Sequence, residues 1–220
     1  MFGYKVYINH FLWRMGLRST LPRDIINLVT IKENGEKLIR LDGPGFVLAL
    51  PKGGKNLFRL RAGAARRLQQ AQKKLPPGVF FKIYSAWRSE AEQTHLREAA
   101  LIKLKKRYPG KSAAELNRLV GKQVAAAGIS GHQTGGAVDI GLCNAQGVDL
   151  DMGGTYLRFD SKTPTRACTT PHRQMLKRAM TGAGFINYPR EWWHYSFGDQ
   201  MWAAYSKKKT CFYGPILSCK

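Results

Sequence analysis

The stretch Ser130-Gly131-His132-Gln133-Thr134-Gly135-Gly136-Ala137-Val138-Asp139 sets a histidine and an aspartate seven residues apart, across a pair of glycines. Far downstream stands Glu191-Trp192-Trp193-His194. Together the two segments offer two imidazoles and a carboxylate, with a spare glutamate beside the last histidine. Three such ligands with a fourth position left open make the donor set of a catalytic zinc site.

Bringing these groups together makes demands on the chain. Consecutive glycines argue against a helix at Gly135-Gly136, and a bend there folds His132 and Asp139 toward one point. Ala137 to Ile140 then begins a strand, with Asp139 on the face opposite Val138 and Ile140. A carboxylate among apolar neighbours needs a partner, because an unpaired buried charge is very costly. A metal is one such partner and a buried salt bridge is another. Glu191 and His194 are three apart, and a straight strand points such residues to opposite faces. Glu191 is therefore expected on the turn after Pro189, before a strand from Trp192 to Phe197. From there it reaches a water at the metal that His194 binds, while Trp192 and Trp193 pack and exclude solvent.

The scaffold reads as follows. Leu28 to Ile31 is β-like, and Glu33-Asn34-Gly35-Glu36 carries the Asn-Gly signal of a hairpin. After the loop Asp42 to Gly45 comes the apolar run Phe46 to Leu50, closed by Pro51-Lys52-Gly53-Gly54. Leu57, Leu60, Ala64, Leu68, Ala71 and Leu75 fall at helical spacing and predict a helix over 57–75, stopped by Pro76-Pro77-Gly78. Val79 to Trp87 predicts a central strand, ending at Arg88. An arginine at such a point can present a rigid fork of donors to an oxyanion or carboxylate, although this sequence holds many surface arginines. Ser89-Glu90-Ala91-Glu92 and Ser112-Ala113-Ala114-Glu115 are capping boxes. They open helices from Glu90 to about Lys106 and from Ala113 to near Gly128. Cys143 to Thr170 predicts a long irregular connection. Pro171 starts a helix with Met175, Leu176, Ala179 and Met180 on its apolar stripe.

Composition bounds the rest. A chain of 220 residues fits a single domain over 1–220 with a real core. Thirty-six Lys and Arg against 14 Asp and Glu give a formal net charge of +22, which attracts polyanions if the basic surface has a partner at all. No helix-turn-helix, finger or aromatic-basic sheet signature points to specific nucleic-acid binding. No apolar run approaches the roughly 20 residues of a membrane span. No clean apolar h-region with a cleavage site marks a signal peptide, so the expectation is cytoplasmic, with the envelope left open. The cysteines 143, 168, 211 and 219 form no Cys-x-x-Cys pair. Cys211 and Cys219 suit either a small C-terminal disulfide loop or reduced thiols. His10, His95 and His172 lack ligand spacing.

Ser130-x-His132-x-x-Gly135-x-Ala137-x-Asp139 followed by Glu191-x-Trp193-His194 resembles the D-alanyl-D-alanine dipeptidases, zinc enzymes of the vancomycin-resistance type. The resemblance extends to Tyr84 through Arg88, Asp151-Met152-Gly153 and Gly182 through Trp193, covering roughly 55–205. It implies that His132, Asp139 and His194 are zinc ligands, that Glu191 is the general base and that Arg88 stabilises the developing oxyanion. Ser130 is similar to a serine lining the substrate pocket. The implied fold is α+β, a small mainly antiparallel sheet with flanking helices, of the D,D-peptidase/hedgehog-like zinc kind. The implied activity is zinc-dependent hydrolysis of the D-alanyl-D-alanine dipeptide in peptidoglycan precursor metabolism. The family's compact Met-Gly-Thr-x-Phe-Asp segment is longer here, Met152 to Asp160, and the Ser-His expected after it is absent. A different pocket wall follows, with Asp160 the candidate for holding the substrate's amino terminus. That wall keeps a related D,D-carboxypeptidase or endolysin-like peptidase, acting on longer wall peptides, as an alternative. A non-enzymatic zinc or polyanion-binding module is a third, against which Glu191 and Arg88 both stand.

Overall fold

Strand β6 (Ala137–Cys143) is buried along its whole length, and the fold is built outward from it. The structure is a computed structural model that describes residues 4–15, 17–18, 20–42, 45–49, 58–121, 123–128 and 130–216. On one side β6 pairs antiparallel with β5 (Phe80–Ser85), which pairs parallel with β3 (Phe46–Leu48). On the other it pairs antiparallel with β8 (His194–Ser196), which pairs antiparallel with β7 (Ile186–Asn187). The sheet order is thus β3-β5-β6-β8-β7, mainly antiparallel with a parallel edge.

The apolar stripes of α3 (Ala62–Gln72) and α6 (Pro171–Gly182) share one core with this sheet. Ala64, Leu68, Leu176 and Met180 cluster there with Phe81, Ile83, Val138, Ile140 and Leu142. Full burial of each large aliphatic side chain contributes about 1.5–3 kcal/mol. Thr170 caps α6 by accepting from Arg173 N, and Pro171 takes the first turn, where no donor is needed. Helices α4 (Glu90–Arg107) and α5 (Ala113–Val120) carry a separate small cluster of Leu104, Leu116 and Val120. Both open with complete capping boxes, at Ser89 and Ser112. The chain begins with α1 (Tyr4–Arg14) and α2 (Arg23–Ile26); α7 (Gln200–Tyr205) packs near its end. Two short ladders complete the fold: β1 (Thr30–Ile31) parallel with β9 (Thr210–Cys211), and β2 (Leu38–Arg40) antiparallel with β4 (Arg59–Arg61).

Several local expectations fail for identifiable reasons. The Asn34-Gly35 turn does not make a hairpin, because β9 captures β1 and β4 captures β2. Glu33 is held instead by Arg61 and by the backbone of Gly214. The helix foreseen from Leu57 begins at Ala62. Residues 59–61 are a strand whose backbone pairs with β2, and Arg61 N donates to Gly135 O. Leu50 to Leu57 lie outside the described residues, as does Cys219. Helix α5 stops at Val120, whose carbonyl accepts from both Gln123 and Val124, rather than near Gly128. Among the described residues Cys143, Cys168 and Cys211 are free thiols, and no helix is long and apolar enough to cross a membrane.

Candidate metal centre

The site grows from one row across the sheet. Asp139 on β6 faces Ser85 on β5 and His194 on β8 as direct ladder partners. A register shift between Ile83 and Ser85 re-aims the end of β5 toward this row. His132 arrives from a single 3-10 turn, Gly131–Thr134, which Gly135 ends in the left-handed region at φ +72°. A Cβ at Gly135 would stand 2.6 Å from Leu38 Cδ2, and one at Gly136 would stand 2.2 Å from Phe197 O. Only glycines let the chain pass that closely, so the pair does supply the bend that joins His132 to Asp139.

His132, Asp139 and His194 each offer a ligand atom, all within 4.8 Å of one another, and all three side chains are buried. His132 Nε2 lies 3.2 Å from Asp139 Oδ1 and 3.2 Å from His194 Nδ1, which is itself 3.0 Å from Asp139 Oδ1. His132 Nδ1 lies 2.7 Å from Ala86 O, so it is the N–H that donates, and Nε2 is left with a lone pair facing the trio. Two imidazole nitrogens and a carboxylate oxygen converging without a bulky group between them fit a divalent transition metal.

Arg88 closes one side. Its Nη2 donates to Asp139 Oδ2 at 2.9 Å and lies 3.3 Å from His132 Nε2; Nε donates to Ser85 Oγ and Nη1 to Gln93 Oε1. The buried salt bridge weighed for Asp139 is thus present alongside the convergence of ligands. Tyr156 donates from its hydroxyl to the same Oδ2 at 3.1 Å, stacks on Tyr84 and meets Trp193 edge-on. Burial and the Arg88 cation push the His132 ring down to about 4, against the pull of Asp139. Burial alone would raise Asp139, but His132, His194 and Arg88 outweigh it and hold the carboxyl well below its ordinary range. His194 is raised, because the Asp139 carboxylate outweighs the burial that would lower it.

Glu191 starts a reverse turn rather than a strand. Its N–H donates to Tyr188 O, and His194 N–H donates back to Glu191 O at 3.3 Å. A turn closed between first and fourth residues brings both to one side, which a strand would not do. The strand starts two residues later than expected, at His194, with Trp192 and Trp193 buried at the corner. Asn187 Nδ2 pins the turn by donating to Glu191 O and His194 O. Burial pushes the Glu191 carboxyl up to about 7, opposed by His194 and reinforced by Asp139. The residue keeps partial exposure, as a group reached by water must.

Ser130 is buried at the start of the 3-10 turn, next to His132 in the chain. Asp160 is not drawn to the trio. Its carboxylate accepts from Arg158 and from the backbone N–H of Lys162. It lines a groove of about 670 Å³ together with Tyr84, Asp151, Tyr156 and Trp192. Sequence reasoning passed over Tyr156, Gln93 and Arg173. Arg173 is buried and donates to Met152 O, Lys162 O and Pro164 O, tying the loop 152–164 to α6. An arginine on a helix face otherwise read as polar gives no such signal. Tyr156, inside the lengthened Met152–Asp160 segment, did offer one. His172 sits by Asp151 O and His10 stacks on Trp13, both away from the trio.

A family model described as D-ala-D-ala dipeptidase matches residues 61–214. The chain is similar to a D-alanyl-D-alanine dipeptidase of Synechocystis, 32% identical over 107 residues, which are 39% of this chain and 43% of that protein. It is also similar to one of Escherichia coli, 30% identical over 94 residues, covering 39% and 48%. The chain thus spans about half the length of these curated relatives. Among solved structures it is similar to a mutant of the vancomycin-resistance D,D-pentapeptidase VanY in complex with Zn(II). The identity there is 19%, over 84% of this chain and 96% of that one, with a TM-score of 0.48.

Proposed function

The chain belongs to the D-ala-D-ala dipeptidase family, and from that premise we propose that it is a zinc peptidase that hydrolyses D-alanyl-D-alanine. The observation that carries the reading is the convergence of His132, Asp139 and His194 within 4.8 Å, beside a glutamate held near neutrality. These three residues would hold the zinc. Bound there, zinc supplies the Lewis acidity that acidifies water and polarises the scissile carbonyl. Glu191 accepts the proton of the attacking water at its carboxylate and hands it to the leaving amine. A carboxyl raised toward 7 suits both directions of transfer. Arg88 is fixed by Ser85 and Gln93 with its guanidinium edge at the trio, and sets positive charge where the tetrahedral oxyanion forms. Trp192 and Trp193 keep bulk water from the other side. Ser130 lines the pocket, and Asp160 meets the substrate's amino group across the groove.

That groove favours a second reading. Tyr156 on its lining touches Asp139, and the lengthened wall along it suits a carboxypeptidase acting on longer wall peptides. A cytoplasmic place of action goes with the free dipeptide, and an envelope one with the longer peptide. In either case the net charge of +22 would aid encounter with an anionic wall polymer, so retention on wall fragments should fall steeply with salt. One assay separates the readings. Zinc-loaded protein is given D-alanyl-D-alanine or a muramyl pentapeptide, and free D-alanine is measured. Release from the dipeptide alone supports the first, release from the pentapeptide supports the second, and release from neither refutes both.

A further inference from the structure

Asp199 is a buried carboxylate that the chemistry above leaves unused. It stands just before α7, and its Oδ1 caps that helix by accepting from Trp202 N at 2.8 Å. Serine or asparagine would cap as well. The second oxygen, Oδ2, is buried and closes no hydrogen bond at full geometry. A buried carboxyl oxygen without a full hydrogen bond is costly and asks for a reason. A Cβ at Gly131 would stand 2.7 Å from Asp199 Oδ2 and 3.4 Å from Ser196 Oγ. Glycine at 131, directly before His132, therefore leaves room for both oxygens. Ser196 is fully buried, and its hydroxyl lies 3.5 Å from His194 Nε2, on the side of the ring away from Asp139.

We propose that Asp199 and Ser196 form a positioning pair behind His194. The Ser196 hydroxyl donates to the free Asp199 oxygen and accepts from His194 Nε2–H, so that the neutral ring carries its lone pair on Nδ1, facing Asp139 and His132. His132 has its tautomer set by Ala86 O; at His194 Nε2 the Ser196 hydroxyl stands instead, and the pair takes that part. Outer partners of this kind fix the orientation and proton placement of ligating imidazoles, and their loss typically weakens metal binding about 10–100-fold. The pair rests on the zinc reading, because without a metal the Asp139 carboxylate, 3.0 Å from His194 Nδ1, draws the ring proton to that nitrogen.

Asp199→Asn tests the pair. The amide still caps α7, but it turns an N–H toward Ser196. The Ser196 hydroxyl must then donate to His194 Nε2, which moves the ring proton to Nδ1, where it blocks ligation. In the zinc-loaded protein, the His194 Nε2–H should be slow to exchange with solvent by ¹⁵N-resolved NMR, and in Ser196→Ala it should exchange faster. Zinc affinity by chelator competition should fall at least ten-fold at an unchanged melting temperature. Ser196→Ala should weaken zinc in the same direction, and the two changes should not add. Native zinc affinity in Asp199→Asn overturns the proposal and leaves Asp199 a helix cap. Should Asp199→Asn fail to fold, native zinc affinity in Ser196→Ala overturns it equally. A native chain that binds no zinc would overturn the zinc reading and the pair together, whereas native affinity in the variants overturns the pair alone.

Discussion

The floor of the site and its wall are held by different physics. The floor is a row across three paired strands, Ser85, Asp139 and His194, with His132 brought in by a glycine bend. Its positions are set by backbone ladders, and His132 Nδ1, His194 Nδ1 and both Asp139 oxygens each have a partner within about 3 Å. The wall, residues 149–170, has one isolated bridge to β6 and a short 3-10 turn. It is held by Arg173 reaching three backbone carbonyls and by single backbone bonds from Leu150 to Leu142, Thr165 to Pro189 and Trp192 to Thr163. The floor therefore tolerates almost no change, whereas the wall can be loosened without moving the ligands.

The largest effect expected is at the floor. His132→Ala or His194→Ala removes one of three ligands, and metal analysis should show zinc lost along with all turnover. Full zinc content in both variants would dismiss the trio as the metal site. Next comes Glu191→Gln, which is nearly isosteric and removes no ligand. It should keep zinc yet lower kcat about 10²–10⁴-fold, because the amide cannot accept a proton. The pH profile sharpens this. A base works ionised, so kcat/KM should rise with pH as the Glu191 carboxyl, held near 7 by burial, loses its proton. The charge of a bound zinc shifts that limb lower. The limb should vanish in Glu191→Gln; its persistence would assign the base elsewhere, and loss of zinc would make Glu191 a ligand.

The floor was readable from residue order and the wall was not. His132, Asp139 and Glu191 to His194 carry local signals: a glycine pair, strand alternation, and a proline before a turn. Those are short-range rules, and they located the bend and the turn, missing only where β8 starts. The Asn34-Gly35 hairpin and the helix from Leu57 failed because other chain, β9 for the first and β2 with Gly135 for the second, took over the backbone donors. Arg173 and Asp199 were invisible for a related reason. Their partners are carbonyls and hydroxyls far off in sequence, which no spacing rule registers.

Arg173→Ala probes the wall directly. It leaves three loop carbonyls without their buried donor and empties the space over Trp192. A loss of roughly 3 kcal/mol in stability is expected from hydrogen bonds to a charged group. KM should rise more than kcat falls, with zinc retained. A kcat loss as deep as that of Glu191→Gln would mean that the wall, too, sets the reacting geometry.

The smallest effect should come from Tyr156, where wall and floor touch. Its hydroxyl donates to Asp139 Oδ2, while its ring stacks on Tyr84 with centroids 4.4 Å apart. Tyr156→Phe removes the first contact and keeps the second, so the loop should stay in place. Asp139 Oδ2 still accepts from Arg88 at 2.9 Å, and its other oxygen faces the histidines. One hydrogen bond among several is worth about 1 kcal/mol net, which is roughly five-fold in zinc affinity. If the tyrosine only braces the carboxylate, chelator competition should show that modest loss and kcat per bound zinc should hold. A fall in kcat at full zinc occupancy would instead place the hydroxyl against the substrate. A loss of zinc as complete as in His132→Ala would mean that Asp139 depends on the wall for its position, and the separation of floor from wall would then fail at the one residue that joins them.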